Sequence, residues 1–187
     1  MSPSMLRFRD PNKFSAGNLS NCMPCWEPVL QDYPKKSEVY NFLSEGVNVK
    51  QVFVPFHGTF KGSSEPPSMA FPNSPSCECF KDFVSRTILE RVSNGSLLVW
   101  GEVGKVHPPH LVMPITVEPS KPRMCHDERF LNNCWIKDCP FTLDDITNLP
   151  RYVLPGHFQT SFNDKSGYDH VRLHPSSSTF FGLQWKG

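Results

Sequence analysis

Residues 121–171 read KPRMCHDERFLNNCWIKDCPFTLDDITNLPRYVLPGHFQTSFNDKSGYDHV. A basic tip, Lys121-Pro122-Arg123, comes first, followed by an Asp-x-Arg-x-x-Leu-Asn element from Asp127 to Asn132. A linker then leads to a strand that runs into Asn163-Asp164-Lys165-Ser166-Gly167-Tyr168. Alternation predicts a strand over 111–117, a hairpin tip over 118–122 and a returning strand over 123–127. Asp127 and Arg129 stand two apart, so on an extended chain they share a face and can bond backbone or each other. The strand over 158–162 places Phe158, Thr160 and Phe162 on one face and Gln159, Ser161 and Asn163 on the other. Asn163 and Asp164 also suit a turn after that strand, where short polar side chains bond nearby backbone. The linker predicts a short helix or turn over 143–149 carrying Asp144 and Asp145.

Working outward, residues 1–36 are polar and irregular. A short helix is expected over 38–43, ended near Gly46. Residues 47–56 alternate with a slip at Lys50-Gln51, which predicts a bulged strand. The glycines and prolines of 57–76 predict a loop. Residues 79–93 predict the clearest helix: Phe80, Phe83, Val84, Ile88 and Val92 form one stripe, and Asn94-Gly95 closes it. Short strands are expected over 96–100 and 179–185, the second placing Phe181, Leu183 and Trp185 on a common face. The fold class is α+β, a small antiparallel sheet with few helices. The division expected is an irregular extension over 1–76 and a folded unit over 77–187.

Composition narrows the function. A net charge of +1 gives no global field toward nucleic acid, so any such surface is a local patch. No apolar stretch approaches the roughly 20 residues of a membrane-spanning helix. The first residues hold no apolar run that would serve as a signal peptide, and seven cysteines at irregular spacing read as reduced thiols, an intracellular pattern.

The 121–171 segment resembles the reverse transcriptases of retroelements, at the join between fingers and palm. The resemblance extends over about residues 80–187, and the wording Lys-Ser-Gly-Tyr-Asp-His-Val looks more like divergent animal retroelement copies of the tyrosine-recombinase type than like retroviral enzymes. It implies a partial fingers–palm of an RNA-directed DNA polymerase, whose complete form transfers nucleotides to a primer end with two magnesium ions held by carboxylates. Arg123 matches the family arginine that grips the triphosphate, with Lys121 as the nearby cation; the family's earlier lysine cluster falls on Thr116, Val117 and Glu118. Tyr168 matches the aromatic under the incoming sugar, or is a half-buried tyrosine packed on the palm sheet. Asp127 and Asn132 read as structural, and Arg129 as structural or template-contacting. The family's first metal-binding aspartate falls on Asn163, which offers a neutral carbonyl where magnesium selects anionic oxygen. Asp164 is adjacent but points to the other strand face.

The second pair of family aspartates would lie past Gly187, so the chain is expected to be a truncated, inactive copy that holds no cofactor itself. The alternative is a non-catalytic module for a primer–template or for a protein that completes the palm. Trp135 and Trp185 are then candidate stacking aromatics. Cys22-x-x-Cys25 and Cys77-x-Cys79 have poor spacing for zinc, and buried thiols explain them as well. His107 and His110 flank two prolines and read as loop histidines.

Overall fold

The computed structural model describes residues 16–54, 63–136, 147, 153–157 and 167–186. Its helices are α1 (Met23–Val29), α2 (Lys36–Ser44), α3 (Ser76–Cys79), α4 (Lys81–Ser93) and α5 (Arg129–Cys134). Its strands are β1 (Met69–Ala70), β2 (Leu111–Val112), β3 (Ile115–Glu118) and β4 (Arg123–His126). The architecture is mixed α+β, with few helices and two small two-stranded sheets among the described residues. One is the expected antiparallel hairpin, β3 with β4, in register from Ile115 opposite His126 to Glu118 opposite Arg123. The other, β1 parallel to β2, was not expected; β1 lies in the stretch read as loop, and β2 in the run read as a single strand.

The apolar run over 111–117 is two strands rather than one. Pro114 has no N–H for a ladder, and the strand breaks at Met113-Pro114. Leu111 and Met113 enter a first core cluster with Val49, Phe53, Leu131, Trp135 and Phe180. Ile115 and Val117 enter a second with Cys77, Val84 and Met124. The outer edge of β3 is closed by side chains: Asn73 Oδ1 accepts from Ile115 N–H at 2.9 Å and Ser76 Oγ from Val117 N–H at 3.1 Å. An open edge would invite pairing with another chain.

The helix over 79–93 begins instead at Lys81, after a break at Phe80 (φ −117°, ψ 28°) that separates it from α3. Its stripe packs on the second cluster through Val84, with Phe80, Phe83 and Ile88 partly buried. Asn94 and Gly95 end it as expected, Gly95 at φ +80°. The helix over 38–43 is present as α2, and α1 was missed within the stretch read as irregular.

Other strand expectations are corrected. Over 47–54 a 3₁₀ turn, Val49–Gln51, replaces the bulge, because Asn48 Oδ1 accepts the Lys50 N–H and turns the chain. Val47 and Phe53 keep isolated bridges, to Leu173 and Ile136. Residues 96–100 form no strand: Leu98 is 83% and Val99 77% exposed, and Trp100 Nε1 donates to the His107 carbonyl, folding this stretch onto itself. The C-terminal strand begins instead as a 3₁₀ turn, Pro175–Phe180, fixed by Ser177, whose buried hydroxyl accepts the Val49 N–H. Gly182 then bridges Val112, so close that a Cβ there would meet the Leu111 carbonyl at 2.7 Å. Phe181 consequently faces the first cluster, while Leu183 and Trp185 face the second. The strand over 158–162 and most of the helix over 143–149 lie outside the described residues. No helix among the described residues is long and apolar enough to cross a membrane.

Candidate functional site

The hairpin presents its cations by alternation. Ile115, Val117 and Met124 are buried beneath it, which sends Arg123 and Cys125 outward. At the tip, Glu118 accepts from the Ser120 N–H at 3.1 Å and the Ser120 hydroxyl at 2.8 Å. These bonds to Ser120, with Arg123 nearby, hold the Glu118 carboxyl below the usual carboxylate range. Lys121 and Arg123 are both exposed, and Arg123 stands opposite Glu118 in the ladder.

The chain leaves β4 directly into the Asp-x-Arg element. The Asp127 N–H donates to the Pro114 carbonyl at 2.9 Å. Its Oδ1 accepts from the Arg129 backbone N–H at 3.1 Å and from Nε at 2.8 Å, and its Oδ2 accepts from Nε and Nη2. The expected bonding is present as a bidentate pair, although the chain there is not extended: Glu128 (φ −88°, ψ 14°) turns it into α5. Arg129 depresses the Asp127 carboxyl, and Asp127 raises the Arg129 guanidinium. The Asp127 side chain is 11% exposed and the Arg129 side chain 82%, so the charge this pair offers solvent is positive. Asn132 is exposed on α5, whose buried contribution is Leu131.

Just before this pair, His126 Nδ1 lies 2.5 Å from Glu128 Oε1, and Nε2 lies 3.3 Å from the Gly182 carbonyl. Both Glu128 oxygens are shut off from solvent without a directed hydrogen bond, so the contact with His126 is an ion pair when the imidazole is protonated. Nothing in the sequence pattern signalled this link.

A cleft of about 210 Å³ opens beside Asp127 and Arg129, lined by Phe71, Met113, Pro114 and Phe130. The Phe71 and Phe130 rings meet at 5.2 Å and 48°. A larger depression of about 760 Å³ lies between α1 and α2, and its lining includes Glu27, Gln31, Lys36 and Tyr40.

Other candidate residues fall as follows. Tyr168 is 97% exposed on a 3₁₀ turn, Gly167–His170, so the packed reading is corrected. Trp135 is wholly buried in the first cluster and is no stacking surface, whereas Trp185 is half-buried and donates to Ser85 Oγ at 3.0 Å. His110 is structural: its Nε2 lies 2.6 Å from the Pro66 carbonyl and its ring meets Phe180. His107 stays exposed. Asn163, Asp164, Asp144 and Asp145 lie outside the described residues. No group of three or more His, Cys, Asp or Glu among the described residues could hold a metal, so Cys22, Cys25, Cys77 and Cys79 do not converge. Cys77 instead donates to the Ile115 carbonyl, and burial pushes its thiol up.

Compared with family models, with curated proteins and with solved structures, the chain matches none. What the site can do therefore rests on its own residues: two exposed cations on a fixed hairpin, then an exposed guanidinium held from behind by a carboxylate.

Proposed function

We propose that this chain is a reverse-transcriptase-like fingers and first-palm-strand segment of retroelement origin, which holds a nucleic-acid primer–template and does not itself polymerise. One observation carries the reading: the β3–β4 hairpin delivers Arg123 outward and passes without interruption into the Asp127–Arg129 pair, the order the resemblance implies. Arg123 and Lys121 meet phosphate oxygens, for which a planar guanidinium fork is suited. The ancestral activity is template-directed nucleotidyl transfer.

The donor set does not suit the family's magnesium. Asn163 supplies no charge at the position of the first aspartate, and hard divalent cations select anionic oxygen. No catalytic step is assigned to this chain.

The test is binding of the full chain to a primer–template across a salt series. Binding is expected at low salt and falls as salt rises; Arg123→Ala weakens it and lowers the salt slope by about one. No binding at low salt overturns the nucleic-acid reading, and metal-dependent primer extension overturns the inactive one.

A second reading, a module that docks a protein, is favoured by the exposed run Leu98, Val99 and Trp100. Exposed apolar patches of this kind mark interaction surfaces. Loss of a pulled-down partner on Leu98→Ser, with nucleic-acid binding absent, would select it.

A further inference from the structure

We propose that residues 98–100 pair, antiparallel, with the same residues of a second copy of this chain, closing a reversible two-fold dimer. This rests on the protein-docking reading above and names its partner.

Leu98, Val99 and Trp100 are exposed, and Val103 and Val106 expose further apolar side chains just beyond them. Among the described residues, no hydrogen bond engages the backbone N–H or carbonyl of Leu98, Val99 or Trp100. Unpaired backbone beside exposed apolar side chains is what a sheet edge offers another strand. The segment is also held in place. Trp100 Nε1 donates to the His107 carbonyl at 2.8 Å. Val106 lies so near Gly101 that a Cβ there would meet its Cγ2 at 2.6 Å. Association therefore has little left to order.

Charge and symmetry select the occupant. Residues 92–101 carry no charged side chain. Beyond them, Lys105 and Glu102 pair with each other at 2.7 Å. A phosphate or a charged peptide finds nothing here to answer it, while two copies meet without repulsion. The segment is also its own complement. With Val99 on the two-fold axis, Leu98 of one copy stands opposite Trp100 of the other, an aliphatic–aromatic cross-strand pair. The N–H of each donates to the carbonyl of the other. Five apolar side chains per copy suit a weak interface of about 1,000 Å² in total rather than an obligate one.

The experiment sediments the full chain over a dilution series at low and at high salt. A monomer–dimer equilibrium is expected, undiminished by salt because no ion pair drives it. Val99→Asp sets like charges face to face at the axis and should weaken the dimer at least about tenfold, while Val99→Ile keeps it. Should Val99→Asp unfold, Leu98→Ser decides. Hydrogen exchange of the concentrated against the dilute chain should protect the amides of Leu98 and Trp100. A monomer at every concentration overturns the proposal. So does a dimer that survives Val99→Asp or that protects another segment instead. A monomeric chain that captures another protein through Leu98 overturns self-pairing and leaves the docking reading standing. A monomeric chain that captures none overturns both.

Discussion

The two core clusters are fed by one apolar run yet are built differently. The first gathers Val49, Phe53, Leu111, Met113, Leu131, Trp135 and Phe180, which are scattered along the chain from residue 49 to residue 180. Its rings meet edge-on, Phe53 with Trp135 at 6.1 Å and with Phe180 at 5.1 Å. The second gathers Cys77, Val84, Ile115, Val117 and Met124, all between residues 77 and 124, around one hairpin and the helices α3 and α4. Long-range clusters cost more loop-closure entropy and form only when distant segments agree. Local ones can be read from a short stretch of sequence. The functional candidates sit where the two meet: the hairpin belongs to the second cluster, and α5, which follows Asp127, is held by the first.

The largest expected effect tests whether these clusters are one cooperative unit. Trp135→Ala should cost about 3–5 kcal/mol and Ile115→Ala about 2–5 kcal/mol, the range for emptying a buried site of each size. Denaturant unfolding of both variants and of the double variant decides the matter. Costs that add within about 0.5 kcal/mol make the clusters energetically independent. A marked departure from additivity shows coupling through the broken strand at Pro114. Leu98→Ala is the control, since a side chain 83% exposed should change stability little.

A smaller effect is expected at the link between the clusters. His126 faces the Glu128 carboxylate on one side and the Gly182 carbonyl on the other, and Gly182 precedes the Leu183 and Trp185 that pack on the second cluster. His126→Ala leaves the covered Glu128 carboxyl without the imidazole that faces it and should cost about 1–3 kcal/mol. Adding Glu128→Gln should recover part of that loss if the covered carboxyl, once unfaced, is what costs it. A double variant no more stable than His126→Ala would mean that the link contributes through packing alone.

What could be read in advance follows the same division. The hairpin was legible because Ile115, Val117 and Met124 alternate around a tip with two prolines, and α4 because its apolar residues recur at helical spacing. Asp127 and Arg129 were legible as partners from their two-residue spacing, but on the premise of an extended chain, whereas they meet across the turn into α5. Residues 47–54 misled because alternation is only a tendency, and one Asn48 side chain bonding Lys50 outweighs it. Residues 96–100 misled because an apolar, strand-prone run needs an edge to pair with, and the chain turns this one toward His107 instead. The β1–β2 pair and the Phe71–Phe130 cleft were not legible, since each depends on residues about forty or more apart meeting in space. Asn163 and Asp164 lie outside the described residues, so the reading of the metal position still rests on residue type.

The smallest expected effect belongs to neither cluster and separates local from tertiary stabilisation. The Asp127 carboxyl lies below the usual carboxylate range chiefly because the Arg129 side chain donates to it, with burial opposing. A depressed acid stabilises the folded state fully above its unfolded value, about 3.9 for aspartate, and that contribution is lost as pH falls through the lower folded value. Arg129 is largely exposed, so solvent screening keeps the gain small, below the cost of His126→Ala. The stability difference between the unaltered chain and Asp127→Asn should therefore be present at neutral pH and shrink once the pH drops below about 4. It should also shrink in high salt. A difference that stays constant down to acid pH would mean that Asp127 acts only by shaping the turn into α5, where an asparagine oxygen could accept the same Arg129 backbone N–H.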